Sequence, residues 1–493
     1  MKKTNLNLIP DRVNPSPDYY CTWQTQLYAT SDGKPAGQRK IICEDALFGA
    51  EKPFGWSRFY ESARRDLLLV MDDSWDVPPD GDSALFGSLI LDREKFPAAT
   101  AGNASGATAL TRLTDRIRSM GWKGLGGWVC AQEAPRFSGQ TPPEAYWRAR
   151  LEDAARSGFA YWKVDWGKRA GDASFRRMLT DLGHEIAPDL TVEHAIIPEI
   201  LPYADAYRTY DVPAVLSIPM TMRKLAELLP NQRHADGYAG LVNCEDEAYL
   251  AAAGGFTMGI MRHPFAGPLP DGRADMSFPS LHRNLKTKMQ EVTRAVRWHR
   301  IAPAFGVGEN ALTVDSATLC DTFHFVNPQE EIEEWWLSNP LLGELRENTA
   351  TITAPARISR GCPLPTVVPD ARGKVPYLVA ARNPNGACSI VALGRTMGRT
   401  YEIPRCKVTL QTGDARTVAA FGDYDQLILE TALSDVHSVL MQDLAADTAV
   451  DVSDEIRFQN GQLLLSGALI RDIGTCSQAA GDTSEAGVVI RID

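Results

Sequence analysis

The 493-residue sequence is short of the features that define several large protein classes. No apolar run reaches 18 residues, so no membrane-spanning helix and no membrane partner are expected. Basic charge is not in excess. With 51 Lys and Arg against 62 Asp and Glu, the net charge of −11 argues against a nucleic-acid partner held by phosphate neutralisation. The nine cysteines are odd in number, widely scattered and without a CxxC pair, and read as mostly reduced thiols of a cytoplasmic protein. Two lysines open the chain, but no apolar segment follows them, so no signal peptide is read there. The eight histidines show no HxH or HExxH spacing, which speaks against a zinc site. There is no P-loop and no GxSxG, and GWKGLGGW (121–128) does not fit GxGxxG. Neither a metal nor an organic cofactor is therefore expected.

What the chain does contain is alternation. LLLVMDD (67–73), GLGGWV (124–129), FAYWKVD (159–165), LTVEH (190–194), DAYRTYD (205–211), GLVNCED (240–246) and FTMGIMR (256–262) read as strands. Helical patterns lie between them, as at Leu110, Leu113, Ile117 and Met120, or at Phe175, Met178, Leu179 and Leu182. Trp147, Leu151, Ala154 and Ala155 mark another helix, stopped by Gly158. With YYCTWQTQ (19–26) as the first strand, the count reaches eight, the size of a (β/α)8 TIM barrel. A doubly wound sheet is the rival, but polar residues end nearly every strand rather than one crevice. Past residue 310 the pattern changes to short strands and turns, including the hairpin-like VPYLVAARNPNGACSIVALGR (375–395). The expected organisation is an N-terminal extension (1–17), a barrel (18–305) and a C-terminal all-β sandwich domain (306–493). The Pro/Gly-rich stretch 263–279 would then lie on the active-site rim.

Functional groups of such barrels sit at the C-terminal ends of the strands. Those positions hold Trp23, Asp72, Asp73, Trp128, Lys163, Asp165, Glu193, His194, Arg208, Asp211 and Asn243. Lys163 and Asp165 are two apart on one strand, so both side chains face the lumen, where the lysine would lower the carboxyl pKa. That suits a nucleophile, and Asp211, two units later, is the candidate partner. A pair of carboxyls, one ionised and one protonated, is what glycoside hydrolysis requires. Trp23, Trp75, Trp128 and Trp166 offer faces for sugar stacking, and Asp72–Asp73 offers acceptors for vicinal hydroxyls. Each feature alone also has a plainer reading. Lys163–Asp165 reads equally as a structural ion pair, and Asp72–Asp73 as a loop or cap pair. Arg208–Asp211 reads as a surface bridge, the tryptophans as core, and His194 as a satisfied core histidine. Glu245-Asp246-Glu247 reads as the first turn of a helix.

Taken in order, these segments resemble the α-galactosidase superfamily of retaining glycoside hydrolases, families 27 and 36 of clan D. YYCTWQTQ resembles the first-strand Trp segment and VMDDSW the double-Asp segment. GWKGLGGWV resembles the third strand, YWKVDWG the Lys-x-Asp nucleophile strand, and YRTYDV the Arg-to-Asp acid/base segment. The likeness runs over roughly residues 18–440. It implies a retaining exo-α-glycosidase with a carbohydrate substrate, Asp165 as nucleophile and Asp211 as general acid/base. Trp23, Asp72, Asp73, Lys163 and Arg208 would contact the sugar, with Glu193 and Trp128 as further contacts. The sequence departs from the family at Asn243-Cys244-Glu245-Asp246, which is not NDPD, at Ser74, and at Glu193-His194. The sugar and linkage thus stay open: α-N-acetylgalactosaminide, β-L-arabinopyranoside and α-glucoside activities, transglycosylation, and sugar binding without turnover are the alternatives. Nothing in the sequence decides between a monomer and a homo-oligomer.

Overall fold

The computed structural model describes residues 2–29, 39–51, 54–209, 216–261, 285–324, 345–346, 349–398 and 400–493. Asp211 and the stretch 263–279 lie outside the described residues. Eight parallel strands form the barrel: β1 (Tyr19–Cys21), β2 (Leu68–Met71), β3 (Gly124–Val129), β4 (Tyr161–Val164), β5 (Thr191–His194), β6 (Ala206–Arg208), β7 (Leu241–Asn243) and β8 (Gly259–Ile260). Neighbouring strands pair in sequence order, β8 returns to β1 through Tyr19 and Gly259, and an isolated parallel bridge, Asn243 to Thr257, joins the β7 and β8 segments. Around them lie α1 (Gly106–Ser119), α2 (Pro143–Ser157), α3 (Ala173–Ile186), α4 (Ser217–Leu228), α5 (Ala248–Gly254) and α6 (Leu285–Ile301).

Period-two alternation decides which side chains line the lumen. On β4, Tyr161 and Lys163 point inward, while Trp162 packs outward against Trp147 of α2 at 6.0 Å between ring centroids. On β1, Tyr19 and Cys21 point inward and Tyr20 outward, against Tyr60 and Trp122. Glycine makes room for the inward tyrosines. A Cβ on Gly126 would come 2.5 Å from the Tyr161 Cβ, and one on Gly259 would overlap the Tyr19 ring.

The first strand is shorter than its sequence pattern suggests. Only Tyr19–Cys21 is extended, and Trp23 begins a short helix, Trp23–Tyr28. The Glu245-Asp246-Glu247 run precedes α5 instead of forming its first turn, and Asp246 has a positive φ of 61°.

The hairpin expected near 375–395 forms between Tyr377–Arg382 and Cys388–Leu393. Its two strands are central in a nine-stranded sheet that also takes in Lys2–Lys3 at one edge, so the N-terminal residues join the C-terminal sheet system. One face of that sheet (Leu378, Ile390, Val418, Val488) packs on Val408, Leu410, Leu427 and Leu463 of a five-stranded sheet, forming a sandwich core. The other face (Val379, Val391, Phe421, Val489) joins the barrel's own core. Burial on both faces explains why these strands read as continuous apolar runs. It also explains α5, whose sequence AYLAAAG is buried throughout: Ser389 Oγ donates to the Ala253 carbonyl at 2.9 Å. The module is not purely β, because a helix, Gly467–Gly474, packs within it. Arg294 of α6 and Asp443 form a fully buried ion pair at 2.8 Å across the seam. No disulfide joins any of the nine cysteines. Among the described residues, no helix is long and apolar enough to cross a membrane.

Candidate active site

The upper end of β4 carries two charges of opposite sign, Lys163 and Asp165. Lys163 reaches across the lumen to Asp72, with Nζ 2.5 Å from Oδ2, and lies 3.9 Å from Asp165 Oδ2. Its tighter partner is therefore Asp72, not the carboxylate two residues along. The Cys21 thiol donates to the same Asp72 oxygen at 2.8 Å, and burial, seconded by Asp72, raises its pKa so that it keeps its proton. Burial and Arg208 push the Lys163 pKa down, but Asp72, Cys21 and Asp165 outweigh them and leave it above the ordinary lysine value.

Asp165 is held from two further sides. Arg208 of β6 places Nη2 3.0 Å from Oδ1, and the Trp128 indole N–H of β3 donates to Oδ2 at 3.0 Å. Burial alone would raise the Asp165 pKa. Arg208, Lys163, the Trp128 bond and Arg176 together reverse that and hold it below the ordinary carboxylate value. Arg208 leads this effect, a role the sequence pattern had suggested for Lys163. The Asp165 side chain keeps 11% of its surface exposed, whereas Lys163 and Arg208 keep 1% each. Asp165 is thus the charged group of this cluster that opens toward solvent.

Beneath it lies a second, closed layer. Glu193 accepts hydrogen bonds from Tyr161 Oη (2.8 Å), Tyr19 Oη (3.1 Å) and Asn243 Nδ2 (2.6 Å), and Arg208 Nε lies 3.7 Å away. Its side chain is 1% exposed, so no face of it is open to a sugar in this conformation. Glu245, which sequence reading assigned to a helix turn, lies 3.4 Å from Arg208 Nε instead. Arg208 is fully buried, not part of a surface bridge. Four carboxyl groups (Asp72, Asp165, Glu193, Glu245) thus share two cations, Lys163 and Arg208. Burial raises the Glu193 pKa despite Arg208 and its hydrogen-bond donors.

The remaining candidates sit around the mouth. Trp23 is 9% exposed and packs with Tyr19, Cys21 and Met261 at the top of the lumen. Asp73 accepts from Ser74 Oγ (2.6 Å) and Arg39 Nε (3.1 Å), and burial raises its pKa to about 6. Arg39 also lies over the Phe86 and Trp166 rings, at 5.5 and 5.6 Å. Trp166 packs on Trp128 with centroids 5.1 Å apart and stays partly exposed, so it remains near the mouth. Trp75 is different: it is 1% exposed and its indole N–H donates to the Trp128 carbonyl at 2.9 Å, a core position with no free face. His194 points out of the barrel, its Nε2 2.8 Å from Thr180 Oγ1 and its Nδ1 3.4 Å from Arg176, the satisfied histidine of the plainer reading.

Sequence reading missed Cys21, Glu245, Arg39 and Arg176. Only Cys21 carried a usable signal, since it alternates with Tyr19 on an inward face. Among the described residues, no group of His, Cys, Asp and Glu is arranged to hold a metal ion.

No protein-family model matches the chain, and no curated protein matches it. Among solved structures, it is similar to an α-amylase from Anoxybacillus, at 9% identity over 98% of this chain and 99% of that one, with a TM-score of 0.44. It is also similar to a GH36 α-galactosidase from Geobacillus stearothermophilus, at 13% identity and a TM-score of 0.35, over 62% of this chain and 44% of that one. A debranching enzyme from Nostoc punctiforme matches at 11% identity over 71% of this chain and 98% of that one, with a TM-score of 0.34. At TM-scores below 0.5, these likenesses carry neither a reaction nor a sugar to this chain.

Proposed function

We propose that the protein is a retaining exo-α-glycosidase acting on α-galactosides or a closely related terminal sugar. The supporting observation is Asp165 itself: a carboxylate at the C-terminal mouth of a parallel barrel, partly open to solvent and held ionised by Arg208, Lys163 and the Trp128 N–H. An ionised, fixed, accessible carboxylate is the requirement for a glycosidase nucleophile.

In this reading Asp165 attacks the anomeric carbon while Asp211 protonates the departing glycosidic oxygen, and a glycosyl-aspartate forms. Asp211 then takes a proton from water, which attacks the same carbon and releases the sugar with its configuration retained. Lys163, itself held by Asp72, and Arg208 steady the nucleophile from inside the barrel, and Trp23 and Trp166 offer apolar surface at the mouth.

The test is a panel of aryl glycosides (α-galactoside, α-N-acetylgalactosaminide, β-L-arabinopyranoside, α-glucoside), with the anomer of the first-formed product followed by NMR. Asp165→Ala should lower turnover by several orders of magnitude. Undiminished hydrolysis by that variant, or a first product of inverted configuration, ends the assignment.

A further inference from the structure

We infer that Arg176, on α3 behind the barrel wall, is a positioning residue that fixes the backbone of Asp165 for catalysis; this rests on the assignment of Asp165 as nucleophile. Arg176 is fully buried, and its guanidinium is spent largely on main-chain carbonyls at the end of β4. Nη2 donates to the Asp165 carbonyl at 2.7 Å, Nη1 to the Val164 carbonyl at 3.1 Å, and Nε to the Ala170 carbonyl at 2.7 Å. The planar fork of arginine suits this task, since it fixes several acceptors in one plane.

The same short segment is clamped from β3. Asp165 N–H donates to the Val129 carbonyl at 3.0 Å, and Ala131 N–H donates to the Trp166 carbonyl at 2.8 Å. The backbone then passes so close to Ala131 that a Cβ on Gly167 would lie 2.7 Å from the Ala131 nitrogen. Arg176 supplies the opposite side of this clamp. With the main chain hydrogen-bonded from both β3 and Arg176, the two side-chain contacts of Asp165, to Arg208 and Trp128, select one carboxylate orientation. A nucleophile held in this way avoids reorganisation during attack.

Arg176 also contributes charge. Asp165 is faced by Lys163 on its own strand, by Arg208 on β6, by Trp128 and Cys130 at the end of β3, and by Arg176 from behind. Asp72 meets it through Lys163, Glu193 and Glu245 through Arg208, and His194 lies beside Arg176. Removing Arg176 takes away one of the positive charges that lower the Asp165 pKa.

The experiment compares the wild-type chain, Arg176→Gln, Arg176→Lys and Asp165→Ala on the best aryl glycoside, with folded fraction measured by circular dichroism and activity expressed per folded molecule. Arg176→Gln is expected to lower kcat about 10²-fold with little change in KM, and to move the acidic limb of kcat/KM to higher pH. Arg176→Lys keeps the charge and loses the fork, so kcat falls while the acidic limb stays. If Arg176→Gln does not fold, the lysine variant carries the test alone. Wild-type kcat per folded molecule, with an unmoved limb in the glutamine variant or in the lysine variant alone, overturns the positioning role while the loss in Asp165→Ala leaves the glycosidase reading intact. Wild-type turnover by Asp165→Ala overturns both.

Discussion

Asp165 and Glu193 are two carboxyl groups of one barrel lumen, both within reach of Arg208, and their pKa values move in opposite directions. Burial pushes both upward first. The difference lies in depth and in partner geometry. Lys163 is the register partner of Glu193, and Asp165 is two residues further along its strand, about 6–7 Å nearer the mouth. There it meets Arg208 at 3.0 Å, a lysine at 3.9 Å and an indole N–H. Glu193 is 3.7 Å from the same arginine, its hydrogen bonds come from neutral phenols and an amide, and Lys163 acts on it more weakly than burial does. Arg208 and Lys163 therefore outweigh burial at the upper group and lower its pKa, whereas at the lower group burial outweighs both and its pKa stays raised. A barrel with fewer cations than carboxyls can still hold one carboxylate below its ordinary pKa, because Arg208 and Lys163 lie 3.0 and 3.9 Å from it.

The largest expected break in this contrast is Arg208→Met. It leaves Asp165, Glu193 and Glu245 without their shared cation. Loss of one partner of a buried ion pair costs about 3–5 kcal/mol, and the folded variant should lose about 10²–10³-fold in kcat. The acidic limb of its activity profile should rise, because the ordinary pKa lowering at Asp165 is weakened. Denaturant midpoints and a pH–rate profile check both parts, and an unmoved limb would show that Arg208 does not govern the ionisation of Asp165.

Trp128→Phe sharpens the contrast more gently. It removes one donor to a charged acceptor, worth about 1.5–3 kcal/mol, so kcat/KM should fall roughly 10- to 10²-fold with a smaller upward shift of the acidic limb. Steady-state kinetics on the same substrate would reveal wild-type values if the indole N–H contributes only packing.

Glu193→Gln should have the smallest effect and show it in stability. Because the folded pKa of Glu193 is raised, its contribution is present at low pH and is lost as pH rises through that folded value. Glutamine carries no such loss. The variant should therefore gain stability relative to wild type as pH is raised above the ordinary glutamate value, while its kcat stays within a few-fold. Urea midpoints followed upward from the ordinary glutamate pKa decide this: a difference that does not change with pH would mean that the Glu193 pKa is not raised in the folded protein.

Much of this was legible in the chain. GLGGWV forms β3 over the residues its pattern indicates, and the helix containing Trp147 and Leu151 ends at Ser157, before Gly158. The 375–395 hairpin pairs as its turn residues imply. Strand alternation also placed Lys163 and Asp165 on one face. What failed did so where local pattern competes with long-range contact. Trp23 looks like a strand residue but starts a helix, because pairing with Leu68–Val70 stops at Cys21. Glu245 looks like a helix-start carboxylate but turns toward Arg208, a residue 37 positions earlier. Glu193 looked like a sugar contact but is closed over by tyrosines from two other strands, and Trp75 has no free face.

By itself, the sequence determined the order of strands and helices, the change from strand–helix alternation to a β-rich C-terminal region, and the set of charged residues at strand ends. These follow from side-chain periodicity and turn chemistry, which act over a few neighbours. Tertiary structure alone decided which cation meets which carboxylate: Lys163 with Asp72, Arg208 with Asp165, and Arg176 with the main chain behind it. Those pairings depend on strand register, barrel tilt and lumen depth. A shift of a few ångströms in any of them changes the electrostatic balance in a low-dielectric interior, and no local pattern encodes that distance.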